Sequence, residues 1–469
     1  MTPQETVERA LATARSDDCI VIASESSDAN LRWAGNTLTT NGVARSRRLT
    51  VIAVEHRRDG MATGTVSRSG VRDDQVADVV RAAEEAASQG SPAEDAQSLV
   101  DDSVRQPFGN WEEEVGATDI AVFARLAADL SAAFAAANAA GRKLYGFAEH
   151  GLTCSFLGTS SGLRLRHDQP SGRLELNAKS DDMERSAWAG AATRDFADVD
   201  IATLDAQLAQ RLEWAKRSVA LAAGRYETLL SPSAVADLMI FVYHAAGAKD
   251  TLDGRTVFSK AGGGTRIGER LATLPVSLRS DPNATGLECA PFVLAHASSR
   301  HMSVFDNGLP LKQTEWISGG NLAALVQTRH SAELTGLPAT PAIDNLIFDA
   351  VAGGVEPGFD QPGLDEMIAS TQRALLVNCL WYIREVDPQT LLVTGLTRDG
   401  IYLVENGEVT GAVNNFRFND TPVGILDRLA EAGRTQRCLP REWGDYFPRA
   451  AAPPVRVEGF NMSSVSKAS

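Results

Sequence analysis

The pattern of the sequence changes at Gly224, and this change constrains the fold more than any other feature. Before this glycine, strand-like segments alternate with helical ones. The last helix is predicted between Ile201 and Ala223, where leucines recur at helical spacing. After Gly224, short β segments and glycines dominate. Since 469 residues exceed what one ordinary core holds, we expect more than one domain.

The sequence therefore predicts an α+β fold. Its parts are an N-terminal α+β domain over residues 1–223, a β-rich, barrel-like C-terminal domain over residues 224–457 and a disordered tail over residues 458–469.

Strands and helices of the N-terminal half are predicted from residue periodicity and from Gly, Asn and Asp at their ends. The expected strands are Asp18–Ala23, Leu31–Leu38, Arg48–Val54, Met61–Val66, Lys143–Leu157, Arg164–His167 and Arg173–Ala178. Helices are expected over Asp73–Ser88 and Thr118–Ala140, and a polar loop over Ser88–Phe108.

The C-terminal half contains two predicted helices and two predicted hairpins. The helices are Pro232–Ala246 and about Pro422–Glu431. One hairpin runs over Met302–Gly308, and the other runs from Ile401 through Asn406-Gly407 to Val409. Asn-Gly favours such a turn because both central residues need a positive φ angle.

Charge argues against one class of protein. The formal net charge of −15 disfavours a nucleic-acid binder, which needs a basic surface to displace phosphate counterions. Arg45, Arg47 and Arg48 form a small basic group that is expected to be a solvated strand end.

Cysteine use and the absence of apolar runs indicate the compartment. The five cysteines are scattered without a C-x-x-C pair, which fits a reducing environment. The N-terminus lacks the pattern of a secretory signal, and no stretch approaches the roughly 20 apolar residues of a membrane helix. We therefore expect a cytoplasmic protein with no membrane contact.

No complete catalytic motif is present. Gly158–Gly162 matches the G-x-S-x-G pattern of hydrolases, but the residues after it favour a strand where the motif needs a helix, so a hairpin turn is predicted. Gly262–Gly264 with Gly268 lacks the spacing of a nucleotide loop and predicts only a flexible loop.

None of the seven histidines lies in a metal-binding spacing. His296 and His301 are expected to be ordinary strand residues. His244 lies near the end of the helix that Ser231-Pro232 begins, where a histidine commonly interacts with free carbonyl groups.

The order of motifs in the C-terminal half resembles the TldD/PmbA family, also called modulators of DNA gyrase. The matching segments, in order, are Tyr226–Pro232, the helix to His244, Asp253–Ser259, the turn at Asp306–Gly308 and Gly400–Val409. The match extends weakly to the N-terminal region and spans nearly the whole chain.

This resemblance implies a heterodimeric zinc peptidase built from two related chains. The TldD type carries H-E-x-x-x-H on the helix and a distant cysteine as the third zinc ligand. The PmbA or TldE type lacks this set and completes the substrate channel. Both types share an N-terminal α+β domain and a β-rich C-terminal domain.

Carried over by the resemblance, Met239 and Ile240 stand where the His-Glu pair would lie. His244 falls on the second histidine, and Cys379 lies near the third ligand. The glutamate that would act as general base is missing, so no catalytic residue is assigned. Since catalytic zinc sites use three protein ligands, His244 and Cys379 are expected to be degenerate remnants that bind no metal.

Two functions remain open at this stage. In the first, the chain is the metal-free partner of a TldD-like, H-E-x-x-x-H-bearing subunit, and zinc in that subunit trims peptides or peptide-like precursors. In the second, it is a non-enzymatic regulatory or binding protein on the same fold, possibly homodimeric. A third possibility is an unusual site of His244, Cys379 and an acidic residue from elsewhere. Substrate-binding residues are not assigned.

Overall fold

The computed structural model describes residues 1–101, 109–350 and 361–467. Their fold is α+β, as predicted. A curled six-stranded sheet with helices forms the N-terminal half, and three further sheets form the β-rich C-terminal half.

The N-terminal sheet is antiparallel throughout, with strand order β3-β2-β1-β4-β5-β6. Its strands are β1 Asp18–Trp33, β2 Leu38–Arg57, β3 Gly60–Ser69, β4 Arg142–Thr159, β5 Arg164–Ser180 and β6 Ser186–Thr193. The helices are α1 Pro3–Thr13, α2 Val76–Gln89, α3 Ala124–Ala139 and α4 Ile201–Trp214. The short strands expected from the sequence therefore join into long ones.

The two faces of this sheet carry different partners because side chains alternate along each strand. Odd-numbered residues of β1 pack against the four helices in two apolar clusters. Even-numbered residues near its start, Ile20 and Ile22, pack against Phe292, Val304 and Phe305 of the C-terminal half. The second face therefore joins the two halves of the chain.

The C-terminal half has short strands in sheets of six, seven and four strands. Its strands are β7 Ser218–Val219, β8 Gly224–Leu230, β9 Ser277–Ser280, β10 Thr314–Ser318, β11 Asn321–Leu322, β12 Leu346–Asp349, β13 Arg373–Val377, β14 Trp381–Asp387, β15 Leu392–Leu396, β16 Ile401–Glu405, β17 Glu408–Val413, β18 Phe416–Asp420, β19 Leu429–Ala432, β20 Gln436–Cys438, β21 Ala450–Ala452, β22 Val455–Met462 and β23 Ser464–Val465. Its helices are α5 Pro232–Ala245, α6 Ala248–Leu252, α7 Arg329–Thr335, α8 Leu364–Ala369 and α9 Pro422–Asp427.

Helix α5 is the centre of this half. Ser231 caps it by accepting a hydrogen bond from the Ala234 N–H, and Pro232 occupies the first turn, as predicted. Twelve of its 14 residues are buried. A helix that is apolar all round must be surrounded by protein, and α5 packs against strands of the six- and seven-stranded sheets.

Several sequence predictions of secondary structure hold and others need correction. The hairpin at Asn406-Gly407 is confirmed, with φ angles of 53° and 82°. Met302–Gly308 is not a hairpin: it contains a short 3-10 helix over Val304–Asp306, which Ser303 caps. The helix predicted between Ile201 and Ala223 ends at Trp214. The helix predicted to reach Glu431 ends at Asp427, because β19 follows directly.

The prediction of a disordered tail after Val457 is wrong for residues 458–467. Strand β22 lies between β19 and β8 in the seven-stranded sheet, where Phe460 and Met462 are fully buried. The tail is ordered because β22 pairs with β19 on one side and with β8 on the other, and this pairing buries its apolar residues. Residues 102–108 of the predicted polar loop lie outside the described residues, and the boundary at residue 223 stays a prediction.

One helical segment, Ile120–Ala139, is long and apolar enough to cross a membrane by length and composition alone, contrary to the expectation that no stretch approaches this length. A third of its most apolar window is buried. Leu126, Leu130 and Phe134 on that side pack against the N-terminal sheet, as in a helix that covers a sheet face.

Close packing of α2 on β3 predicts a stability effect at Gly64. A Cβ atom there would lie 2.1 Å from both the Ala83 oxygen and the Ala87 nitrogen, which are backbone atoms that cannot move aside. We expect Gly64→Ala to lower the free energy of unfolding by about 1–3 kcal/mol. Gly42→Ala on the neighbouring strand is the control, because a Cβ atom added there would lie 3.6 Å from its nearest neighbour, a side-chain nitrogen of Asn30. Equal denaturant midpoints for the two variants would contradict this packing.

Candidate functional site

A cavity of about 490 Å³ lies where the second face of the N-terminal sheet meets the end of α5. Three histidines from distant parts of the chain line it: His167 from β5, His244 from α5 and His301 from the loop before the 3-10 helix. We call it the histidine cavity. Its position at the junction of the two halves makes it the candidate functional site.

His244 projects into this cavity from the last turn of α5. Its side chain is exposed to the cavity, yet protein atoms crowd around it. This burial, with a smaller contribution from His301, lowers the pKa of His244 to about 4. The rings of Trp443 and Phe447 pack beside it, with centroids 5.0 and 6.0 Å away. His244 is therefore a neutral imidazole at pH 7.

His301 lies against the backbone that follows α5. A Cβ atom at Gly247 would lie 2.1 Å from the His301 ring, so this glycine allows the close approach. The Nε2 atom of His301 lies 3.3 Å from a carboxylate oxygen of Asp250. Burial lowers the pKa of His301, while Asp250 opposes this shift. The prediction that His301 is an ordinary strand residue is therefore wrong.

His167 and Asp344 complete the polar part of the cavity. The Nε2 atom of His167 lies 3.0 Å from the side-chain oxygen of Gln169, and burial lowers the pKa of His167. Burial also raises the pKa of Asp344, although Arg449 pairs with its carboxylate. All these pKa shifts favour the uncharged forms. The two carboxylates that line the cavity, Asp306 and Asp344, are paired with Arg329 and Arg449, so the cavity carries little net charge.

Most of the remaining wall is apolar. Side chains that contribute include Phe292, Leu294, Leu311, Val326, Ile343 and Phe447. Tyr446, which is 78% exposed, lies at the same cavity. From the cavity, polar side chains continue along the N-terminal sheet. The hydroxyl groups of Ser155 and Ser24 are hydrogen-bonded at 3.1 Å, and those of Thr153 and Ser26 at 2.9 Å. An extended chain could thus contact an apolar cavity and a polar strand surface together.

The aromatic wall is held by one buried carboxylate. Asp237 in α5 is fully buried and accepts hydrogen bonds from the backbone N–H groups of Arg441, Glu442 and Trp443, at 3.1, 2.9 and 3.3 Å. Burial raises the pKa of Asp237 well above its usual value, and the three donors oppose the shift. Asp237 thereby fixes the segment that places Trp443 and Phe447 beside His244.

Met239 and Ile240 point away from the histidine cavity. They are 2% and 0% exposed and belong to the main core of the C-terminal half. A residue at position 239 or 240 is therefore directed into packed protein, whereas position 244 is directed into the cavity.

Cys379 does not line the histidine cavity. It is fully buried beside Trp188 and Leu439, and its Sγ lies 3.7 Å from the carbonyl oxygen of Arg398. Burial raises the pKa of this thiol to about 12, which keeps it protonated at neutral pH, whereas metal ligands are thiolates. The structure does not bring Cys379 and His244 to one site.

The donor set does not fit a zinc ion. No group of three or more His, Cys, Asp or Glu side chains suited to a metal exists among residues 1–101, 109–350 and 361–467. His244 and His301 are close enough to influence each other, but Asp250, the carboxylate beside His301, also pairs with Arg300.

The G-x-S-x-G segment is a hairpin turn between β4 and β5, as predicted. Ser160 accepts a hydrogen bond from the Cys19 N–H and donates one to Asp18, so its hydroxyl ties strand ends together. Sequence reasoning missed His301, Asp344 and the aromatic wall. The aromatic residues of Trp443–Phe447 were the available signal for the last of these.

The environment of His244 predicts its titration. We expect its imidazole to titrate near pH 4 in NMR spectra of histidine-labelled protein, with the signal assigned by its loss in His244→Gln. Because this pKa lies below the unfolded value of about 6.5, the unfolded state binds more protons between these values. Stability should therefore fall as pH drops through this window, and fall less in His244→Gln. A titration near 6.5 would show that the ring is fully solvated.

Comparison with known proteins identifies the fold. Residues 223–464, more than half of the chain, match the model of the PmbA/TldA metallopeptidase C-terminal domain. The structure of TldE from Thermococcus kodakarensis is similar with a TM-score of 0.78 and 15% identity, over 98% of this chain and 99% of that chain.

Two proposed modulators of DNA gyrase are also similar in structure. The protein from Thermotoga maritima gives a TM-score of 0.74 and 16% identity, over 98% of this chain and 99% of its own. The protein from Bacteroides thetaiotaomicron gives 0.73 and 15%, over 99% of this chain and 98% of its own. No curated protein matches the sequence. The chain belongs to the TldD/PmbA metallopeptidase family.

Proposed function

We propose that this chain is the partner subunit, without a zinc site of its own, of a heterodimeric TldD/TldE-type zinc peptidase in the cytoplasm. In this role it shapes the cleft in which a peptide or peptide-like precursor is held, while zinc and the catalytic glutamate belong to a TldD-like, H-E-x-x-x-H-bearing chain. Neither a membrane nor a nucleic acid takes part.

The direction of the α5 side chains carries this proposal. At the positions that the resemblance assigns to a histidine and a glutamate, Met239 and Ile240 are packed into the core. Only His244 of this trio reaches the cavity. Substituting ligands at 239 and 240 would bury unpaired polar groups, which costs several kcal/mol at least in apolar surroundings. The core thus stabilises the fold at the place where a catalytic chain would bind metal.

The shape and charge of the histidine cavity fit a contribution to substrate binding. Its wall is apolar with neutral histidines, and a row of hydroxyl groups leads away from it along β1 and β4. Such a surface can hold an extended peptide through its backbone and one apolar side chain without selecting for charge. All five cysteines are free, which agrees with a reducing compartment.

The proposal predicts that activity and zinc follow the other chain. Co-expressed with a related H-E-x-x-x-H chain, this protein should co-purify with it, and cleavage of an unfolded peptide should need both chains. Metal analysis of the complex should find zinc in proportion to the other chain. When this chain is purified alone, it should contain well below one zinc ion per copy. His244→Ala should leave the zinc content of the complex unchanged.

Different results would favour the other functions. A stable homodimer that ignores every H-E-x-x-x-H chain would support a regulatory or binding protein. Stoichiometric zinc in the isolated chain, lost in His244→Ala and in Cys379→Ser, would support a metal site of its own and overturn the proposal.

A further inference from the structure

Strand β2 is twice as long as the strand at its outer side. It pairs with β1 over Leu38–Val54, from Val54 opposite Asp18 to Leu38 opposite Trp33. Its pairing with β3 stops at Arg48 opposite Ser69. After one last hydrogen bond, from the Gly70 N–H to the Arg47 oxygen at 2.9 Å, the chain turns away. We call residues 40–47 of β2 the open edge, since no described strand pairs with them on the outer side.

The open edge presents backbone groups that are ready to pair. In an antiparallel sheet the N–H and C=O of one residue point to the same side. Because the Arg47 oxygen faces outward, the backbone groups of Arg45, Val43 and Asn41 face outward as well. None of the described residues forms a hydrogen bond with these outward backbone groups. Residues Thr40–Arg47 are exposed, apart from Gly42, which is half-buried.

Proteins usually protect such an edge with a proline, a bulge or a short strand. Here the eight residues contain no proline, and the irregular pairing with β1 is confined to the end at Arg32 and Trp33. Val43 is 47% exposed on this edge. The arginines alone discourage unspecific association, and they also set the charge that a partner must carry.

The charge of this region is opposite to that of the whole chain. Arg45, Arg48 and Arg68 have no ion-pair partner among the described residues, and Arg47 pairs with Glu25 at 2.8 Å. No acidic residue occurs from Leu38 to Arg48 or from Gly60 to Gly70. A cavity of about 940 Å³ begins where β3 stops, and its wall carries Arg45, Arg47 and Arg72 together with Glu25, Asp73 and Asp74. Arg47 pairs with Glu25, Arg72 with Asp74 and Asp73 with the N-terminal amine, so among the described residues of this wall Arg45 is the cation left without an ion-pair partner. A strand beside the open edge would run past this arginine.

We propose that the open edge binds an extended, acidic segment of a partner protein, which adds to the sheet as a strand in continuation of β3. Backbone hydrogen bonds to Asn41, Val43 and Arg45 supply the pairing, and carboxylates of the segment meet the unpaired arginines. A second copy of this chain is a poorer occupant, because its open edge would bring further arginines and no carboxylate. This proposal does not depend on the peptidase-subunit function.

The experiment uses the full chain and a synthetic seven-residue probe, Thr-Glu-Val-Asp-Val-Glu-Thr with blocked ends and a fluorescent label. Binding is measured by fluorescence anisotropy at low salt. Two control probes replace the three acids by lysine, or carry N-methyl groups on alternate residues so that one edge cannot donate hydrogen bonds. We expect each control probe to bind at least about tenfold more weakly than the acidic probe.

Two variants test the protein side. Val43→Pro removes one outward N–H while leaving the bonds to β1, since proline is tolerated on an edge. Arg45→Glu reverses an unpaired charge. Each variant should bind the acidic probe about tenfold more weakly, or weaker still, than the unchanged protein does. Arg58→Glu, which makes the same charge change in the exposed β2–β3 turn, should leave binding unchanged. Circular dichroism confirms that each variant is folded.

Several outcomes would overturn the proposal. One is that the acidic probe does not bind. Another is that the N-methylated probe binds as tightly as the acidic probe and that Val43→Pro binds the acidic probe as tightly as the unchanged protein, which would indicate unspecific electrostatic attraction. A single-stranded oligonucleotide that competes as well as the acidic probe would assign the arginines to nucleic acid. A dimer in sedimentation velocity that Val43→Pro dissociates would assign the edge to a second copy.

Discussion

The burial of α5 is the constraint on which the C-terminal half depends. A helix that is apolar on every side has no stable position except inside a core, so the six- and seven-stranded sheets must pack around it. Its one buried carboxylate, Asp237, then fixes where the segment from Arg441 to Trp443 runs, because three backbone N–H groups point to it. The core and the wall of the histidine cavity are therefore two sides of one helix.

This arrangement links packing to chemistry. Position 244 opens into the cavity, whereas Met239 and Ile240 lie in the core. These two apolar residues stabilise the protein and carry no group that could bind a metal. Burial lowers the pKa values of the three histidines and raises that of Asp344, and both shifts favour the uncharged form of the group. The cavity consequently offers hydrogen bonds and apolar contact more than charge, as the proposed role in substrate binding requires.

The sequence could predict what depends on local pattern. The α+β class, the start of α5 at Ser231 and the turn at Asn406-Gly407 follow from capping, periodicity and turn chemistry, and the family follows from the order of motifs. It could not predict what depends on distant pairing. Strand β22 resembles a tail until its place between β8 and β19 is known, and His301 acquires its role only because Gly247 admits its ring. Cys379 and His244 likewise share no site, which spacing along the chain does not reveal.

The position of β22 has a consequence for the order of folding during synthesis. Strand β8 pairs with β13 on one side and with β22 on the other, and Leu230 meets Val455 more than two hundred residues later in the chain. The seven-stranded sheet therefore cannot close until a ribosome has released residue 462. All strands of the N-terminal sheet lie before residue 194, so this sheet can close much earlier. During this interval the apolar surface of α5 has no complete cover, so the nascent chain is at its most prone to aggregation and to capture by chaperones.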